Sequence, residues 1–240
     1  MLGKVFNFVV FSVLAFIASF VFFSKPVLAA DPTFLVSWKA NSYVPANFLG
    51  KAFPIKGSTI VASFELIGAS NSDRGKIIDL KNNEVRWYIN NKFFSKENNL
   101  KTISFVTDDE NFSETKIKIS VEYTDPDTKE TIFVNKFISI PLEAPNIVIT
   151  SQDPIGGLLS GVKKFFNATP FFFSTTPDKL KIQWSVEGKD INYDSVNPWI
   201  LELMSDNKIP SGSDVHIGAT VKDFIKDDIL AQKNIIVKTK

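Results

Sequence analysis

The histidine at position 216 is the first residue to test for catalytic or metal-binding chemistry, because it is the single histidine in a chain of 240 residues without cysteine. A triad base or a zinc ligand needs companion side chains at a fixed geometry. His216 lies between Val215 and Ile217 in an alternating pattern, which places its side chain opposite the apolar residues. The pattern indicates a structural histidine on the solvent side. The lack of cysteine excludes disulfides and thiol chemistry.

Acidic residues cluster at three places, and carboxylates in loops can bind calcium between extracellular domains. None of the clusters shows the Asp-x-Asp-x-Asp-Gly loop, and aspartate is common in turns for local reasons. The sequence therefore predicts turn residues, no metal site and no cofactor. No loop combines aromatic and carboxylate residues as a glycosidase cleft would. The clusters are Asp108-Asp109-Glu110, Asp125-Pro126-Asp127 and Asp227-Asp228.

Ser160 and Lys163 match the Ser-x-x-Lys spacing of penicillin-recognising enzymes, and Ser205-Asp206-Asn207 matches their second motif. Their third motif, Lys-Thr-Gly on a strand, has only Lys238-Thr239-Lys240 as its counterpart. Short patterns of this kind arise by chance in a chain rich in serine and lysine. We assign no catalytic residue and expect a protein that is not an enzyme.

The N-terminus has the features of an export segment. Lys4 precedes an apolar run over residues 5–23, and Ala29 and Ala30 close a site that signal peptidase could cut. The run is also close to the roughly 20 residues that span a bilayer, so an uncleaved anchor is the alternative. Residues 1–30 are thus predicted to form a signal peptide or membrane anchor, the sole membrane contact, with the body outside the cytoplasm.

The rest of the chain alternates apolar and polar residues in short runs, a pattern typical of half-buried β-strands. One run, for example, has Ile117, Ile119, Val121 and Tyr123 on one face. Charge is nearly balanced, with 27 Lys and Arg against 26 Asp and Glu, so no strong field favours nucleic acid. The 23 phenylalanines include clusters that we expect in the core, namely Phe93-Phe94, Phe165-Phe166 and Phe171-Phe172-Phe173.

An internal repeat predicts two similar domains. The run from Glu84 to Lys92 is echoed by the run from Lys181 to Lys189, with Trp87 and Trp184 in the same position. The later strand with Val215, Ile217, Ala219 and Val221 matches the one with Ile117, Ile119, Val121 and Tyr123. Two prolines at 141 and 145 mark a boundary, so we predict domains over residues 31–141 and 146–240. Trp87 and Trp184 are the expected structural core.

A repeat of this length with a tryptophan on a central strand resembles the immunoglobulin-like sandwich, in which that ring packs between two sheets. The chain as a whole is similar to exported bacterial proteins with tandem immunoglobulin-like domains. The resemblance implies an all-β fold, with two tandem immunoglobulin-like β-sandwich domains after an N-terminal hydrophobic helix. It names no substrate.

One segment departs from alternation, because apolar residues in 155–166 recur at helical spacing. We predict a short amphipathic helix between the first two strands of the second domain. It could cap an open end of the sandwich or form a docking surface. The candidate partner contacts are Ile155, Leu159, Val162 and Phe166.

These patterns predict a non-catalytic exported or cell-envelope protein, whose tandem domains serve as spacer and protein-recognition module. Its expected partner is an envelope or surface protein. The alternative is a carbohydrate-binding accessory module of the cell surface, which would stack sugar rings on exposed aromatics. Tyr193 and Trp199 could form such a platform, and Trp38 and Tyr43 are the other aromatics outside the central strands.

Overall fold

The computed structural model describes residues 31–107, 113–151, 157–192, 196–206, 209–224 and 229–240. The predicted signal or anchor at residues 1–30 lies outside these ranges, as do Ile155, Tyr193 and the acidic clusters at 108–110 and 227–228. Within them, no helix has the length and apolar character needed to cross a membrane.

The regular secondary structure of the described chain comprises β-strands and one short 3-10 turn at Pro177–Lys179. The first seven strands are β1 (Thr33–Ala40), β2 (Thr59–Ile67), β3 (Glu84–Ile89), β4 (Lys92–Asn98), β5 (Thr102–Val106), β6 (Glu114–Thr124) and β7 (Thr131–Pro141). The next seven are β8 (Asn146–Ser151), β9 (Lys163–Phe171), β10 (Leu180–Val186), β11 (Lys189–Ile191), β12 (Ile200–Met204), β13 (Asp214–Asp223) and β14 (Leu230–Lys238).

Both halves of the chain have the same strand order. In the first, a sheet β1-β2-β5 faces a sheet β4-β3-β6-β7, and in the second, β8-β9-β12 faces β11-β10-β13-β14. All strand pairs within these sheets are antiparallel. The predicted all-β fold of two tandem immunoglobulin-like sandwiches is confirmed.

Strict alternation of buried and partly exposed residues explains why these segments pair as strands. In β2, Ile60, Ala62, Phe64 and Leu66 are buried while the residues between them are partly exposed. Side chains of a strand point alternately to opposite faces, so such a segment can bury one face against a second sheet. One core cluster lies in each sandwich, with Trp87 in the first and Trp184 in the second.

The register corrects one detail of the predicted repeat. Trp87 lies opposite Ile119, whereas Trp184 lies opposite Ala219. The sequence match aligns Ala219 with Val121, which is two residues out of register. The cause is a longer connection between the two strands in the second domain, which an alternating pattern cannot reveal because a shift of two preserves every face.

The predicted amphipathic helix is wrong over the described part of its segment. Leu158 and Ser160 form isolated bridges to Thr239 and Ser205, and Lys163–Phe171 is strand β9. β9 is hydrogen-bonded on both sides, to β8 and to β12. Pairing along two edges outweighs helical spacing in a short segment, because intrinsic propensity is a weak preference that tertiary context overrides.

Candidate functional site

The predicted partner contacts do not form one surface. Leu159 and Val162 are 47% and 50% exposed, on either side of a turn. Phe166 is 1% exposed and belongs to the second core, so in this fold it cannot contact a partner. This corrects its assignment as a surface residue, and the reason is that β9 points its even-numbered side chains inward. Ile155 lies outside the described residues.

The aromatics considered for a sugar platform have other roles. Trp199 packs against the second core, and Trp38 packs against the first with the Lys51 ammonium 3.3 Å from its ring centroid. Tyr43 forms a backbone bridge to Phe173. Tyr193 lies outside the described residues.

The polar residues considered above for catalysis or metal binding have local structural roles. His216 is exposed, and its backbone N–H donates to the Glu187 carboxylate at 2.6 Å. Asp125 accepts the backbone N–H groups of Asp127 at 2.7 Å and Thr128 at 3.1 Å, which fixes the turn between β6 and β7. In the ranges that the structure describes, no three His, Asp or Glu side chains gather as metal ligands.

A row of side chains instead crosses the outer face of the four-stranded sheet in the first domain. Phe93 of β4 lies opposite Tyr88 of β3, Tyr88 opposite Lys118 of β6, and Lys118 opposite Phe137 of β7. Phe93 is 57% and Phe137 is 68% exposed. Since neighbouring strands are about 4.8 Å apart, the row is about 14 Å long.

Cations contact the rings of this face. The Lys118 ammonium is 5.1 Å from the ring centroid of Tyr88 and 5.7 Å from that of Phe137. The guanidinium of Arg86 lies 4.5 Å from the ring centroid of Phe133 on β7. These distances are within the range of cation–π attraction. We call the six residues Arg86, Tyr88, Phe93, Lys118, Phe133 and Phe137 the aromatic face.

The charges on this face are unequally compensated. Glu84 accepts a hydrogen bond from Arg86 and another from Lys96 at 3.3 Å, and the bond from Arg86 lowers the pKa of Glu84 below its ordinary value. Lys116 pairs with Glu114 at 3.3 Å. Lys118, in contrast, makes no ion pair within the described part of the chain.

The carboxylates of β6 lie far from Lys118. Glu114 and Glu122 are each four residues away along the strand, which corresponds to about 13 Å at the usual rise per residue. That separation exceeds the Debye length of about 8 Å at physiological ionic strength. The ammonium of Lys118 is therefore a local positive charge between the half-buried ring of Tyr88 and the exposed ring of Phe137.

The second domain shows that the fold does not require these residues. Its equivalent row, aligned through the two core tryptophans, consists of Asp190, Ser185, Gly218 and Asn234. These are small or polar, and a side chain at Gly218 would approach the Asn234 amide and the Ser185 hydroxyl within 2.5 Å. The same architecture thus carries an aromatic and cationic face in one domain and a polar face in the other.

Sequence reasoning missed the aromatic face. We expect Phe93 and Phe94 in the core, yet they are 57% and 43% exposed, and the ring of Phe94 makes an edge contact with the buried Phe105. The sequence of β7 does contain a signal. Phe133 and Phe137 occupy odd-numbered positions, whereas the buried Val134 and Ile140 occupy even-numbered positions and so lie on the opposite face. Only one face of a strand can pack in its own core. A strand with apolar residues on both faces therefore exposes one apolar face.

A second feature is the loop between β1 and β2, residues 41–58, which contacts the second domain and which we call the interdomain loop. The backbone N–H of Tyr43 donates to the carbonyl of Phe173, and the N–H of Phe172 donates to the carbonyl of Tyr43, both at 2.7 Å. Ile55 is 1% exposed and lies in the core cluster of the second domain. The first sandwich thus contributes a side chain to the core of the second.

Aromatic rings surround this junction. Phe48 contacts the rings of Phe171 and Phe172, and Phe53 contacts Phe172 at 5.9 Å in an edge-to-face arrangement. Phe172 has a φ of 58°, a left-handed conformation that costs a bulky residue of the order of 1–3 kcal/mol. Edge-to-face ring pairs contribute about 0.5–1.5 kcal/mol each beyond burial, so these contacts offset the strain.

Comparisons with known proteins show likeness of fold. No protein-family model matches the chain, and no curated protein matches it. One similar structure comprises three N-terminal domains of the bacteriophage RB49 Highly Immunogenic Outer Capsid protein, 13% identical with a TM-score of 0.40, covering 87% of this chain. This chain spans 59% of that phage chain.

Two further similar structures have lower TM-scores. The fibronectin(III)-like modules of Clostridium thermocellum CbhA are 16% identical with a TM-score of 0.27, over 85% of this chain and 93% of that one. Bacteroides ovatus SGBP-B, in complex with a mixed-linkage heptasaccharide, is 12% identical with a TM-score of 0.24, over 88% and 48%. All three TM-scores are below 0.5, so the assignment of two immunoglobulin-like sandwiches rests on the strand order of this chain itself.

Proposed function

We propose that this protein is a non-catalytic, exported or cell-envelope spacer that holds two immunoglobulin-like domains as one unit and recognises a protein partner. The domain limits remain those predicted from the sequence, residues 31–141 and 146–240. The membrane is contacted through residues 1–30 alone.

The observation that carries the spacer role is the position of Ile55. Its side chain lies in the second core, while its carbonyl accepts a hydrogen bond of 2.8 Å from the Thr107 hydroxyl of the first domain. A further backbone bond runs from the N–H of Glu143 to the carbonyl of Pro54 at 2.9 Å. A residue bonded into one domain and packed in the other resists bending between them.

Recognition is supported by the aromatic face. Aromatic residues and arginine are enriched at protein interfaces and dominate binding energy there. The face lies on a sheet, and the cavity beside Lys118 and Phe137 has a volume of about 160 Å³, which is smaller than the roughly 300–1,000 Å³ of small-molecule sites. A carbohydrate platform has less support, because the rings of Tyr88 and Phe93 meet at 76° and so do not form a shared stacking plane.

The spacer role is tested by measuring the distance between spin labels on the two domains of the full chain. Because the chain has no cysteine, Thr128→Cys on the turn after β6 and Lys189→Cys at the exposed start of β11 place one label on each domain without side reactions. We expect a single narrow distance distribution. Ile55→Asp should broaden it, because burying an unpaired carboxylate in the second core is unfavourable. Tyr43→Pro should also broaden it, since it removes the N–H donated to Phe173.

The matched control is Leu49→Asp, which adds the same charge to the same loop at a fully exposed position. It should leave the distribution narrow. Circular dichroism of each variant shows whether both sandwiches stay folded. The spacer role would be refuted by a broad distance distribution in the labelled chain with an unmodified loop. It would also be refuted by a narrow distribution in both Ile55→Asp and Tyr43→Pro.

A further inference from the structure

We infer that the aromatic face binds an acidic segment of its protein partner, with a carboxylate placed on Lys118 and apolar side chains placed on Phe93, Tyr88 and Phe137. This inference rests on the proposed recognition role and names the chemistry of the partner.

The first argument is charge. Glu84 already compensates Arg86 and Lys96, and Glu114 compensates Lys116, so Lys118 is the cation of this face without a carboxylate among the described residues. It is half-buried between two rings. A carboxylate that docks there forms an ion pair in a partly desolvated setting, where charge attraction is stronger than in water.

The second argument is the surroundings of that charge. Phe93 and Phe137 lie at the two ends of the row and are more than half exposed. Bound apolar groups would remove both rings from water, at about 25 cal/mol for each Å² of apolar surface. Energetically dominant interface residues lie in well-packed, desolvated regions surrounded by contacts that exclude water, and the two end rings would provide such contacts around Lys118.

The third argument distinguishes a protein partner from an acidic polysaccharide. A polymer of uronic acids would offer the same carboxylates, but its flat sugar rings need exposed ring faces to stack on. Tyr88 and Phe93 pack edge to face, with their ring centroids 5.8 Å apart. Flexible side chains of a protein fill such an uneven surface more readily than rigid sugar rings do.

The test compares the full chain and its variants for binding to two soluble polyanions. One is a random copolymer of glutamate and tyrosine, and the other is polygalacturonate. We expect the full chain to bind the polypeptide and to bind polygalacturonate at least roughly tenfold more weakly. Affinity for the polypeptide should fall as salt is added, because salt screens exposed charges.

Lys118→Met keeps most of the apolar stem and removes the charge, so it should weaken binding of the polypeptide about tenfold or more. Phe137→Asn installs the residue that the second domain carries and should weaken it as well. Lys222→Met is the matched control, since Lys222 is an exposed cation on the equivalent face of the second domain. It should bind as the unmodified chain does. Phe137 and Lys222 are exposed, and Lys118→Met keeps the apolar stem of the half-buried Lys118, so thermal melting should be unchanged.

Equal binding of the two polyanions, or preference for polygalacturonate, would overturn the inference in favour of a glycan. Binding of neither, or equal losses in Lys118→Met and Lys222→Met, would also overturn it. Such failure leaves the spacer role intact, because the distance between the two labelled domains tests that role independently.

Discussion

The indole N–H of Trp87 donates a hydrogen bond of 2.8 Å to the carbonyl of Leu100. Trp184 repeats the arrangement in the second domain, with a bond of 2.9 Å to the carbonyl of Pro198. Each carbonyl lies two residues before the last strand of the opposite sheet. In both domains the central tryptophan therefore fills the core and also ties the two sheets together.

Replacing either tryptophan by phenylalanine should destabilise its domain. Trp87→Phe keeps an aromatic ring but leaves the Leu100 carbonyl without its donor, at a cost of about 1–3 kcal/mol. Trp184→Phe should cost a similar amount, and truncation to alanine about 3–5 kcal/mol. Urea unfolding followed by circular dichroism measures the loss. Trp38→Phe is the control, since Trp38 is only half-buried, and an equal loss there would contradict the role of the indole bonds.

Phe166 and Leu159 should respond oppositely to the same substitution. Phe166→Asp places a charge in the second core and should unfold that domain, because a buried unpaired charge costs several kcal/mol. Leu159→Asp changes an exposed side chain and should alter the free energy of unfolding by less than about 0.5 kcal/mol. Thermal melting distinguishes the two. A stable Phe166→Asp variant would contradict the placement of β9 in the core.

Alkaline pH should weaken the first domain through Tyr123. Burial raises the pKa of Tyr123 from its ordinary value of 10.0 to about 12, aided by its hydrogen bond to Asp73 at 2.8 Å. Between those two pH values the unfolded chain has released the phenol proton while the folded chain retains it. The free energy of unfolding must then decrease as pH rises from about 10 to about 12.

The Tyr123→Phe variant lacks the phenol and should lose this part of the pH dependence. Chemical unfolding at a series of alkaline pH values measures it in both proteins. If the free energy of unfolding changes with pH equally in both proteins, Tyr123 titrates in the folded chain as it does in the unfolded one.

Trp87 and Trp184 show why the fold could be predicted from sequence. Each lies in an alternating run with a turn at its end, and the repeat of that run reveals the second domain without any tertiary information. The segment around Phe166 shows where such reasoning fails. Helical spacing is a local signal, whereas the strand depends on two neighbours that are distant in sequence.

Ile55 and Lys118 illustrate what the sequence does not reveal about the candidate sites. Ile55 is an apolar residue in a loop, and no pattern shows that it lies in the core of the other domain. The row through Lys118 depends on the register of four strands, and each register follows from turn lengths as well as alternation. Parity alone could have marked Phe133 and Phe137 as outward, but not their neighbours.

Site-specific photocrosslinking in intact source cells tests recognition through the aromatic face most directly. A photoreactive phenylalanine analogue at position 137 preserves the ring, and the same analogue at position 234 probes the equivalent exposed place in the second domain. The account predicts one specific protein adduct from position 137 and none from position 234, with the adduct lost when Lys118→Met is added. Equal adducts from both positions, or no protein adduct from position 137, would contradict it.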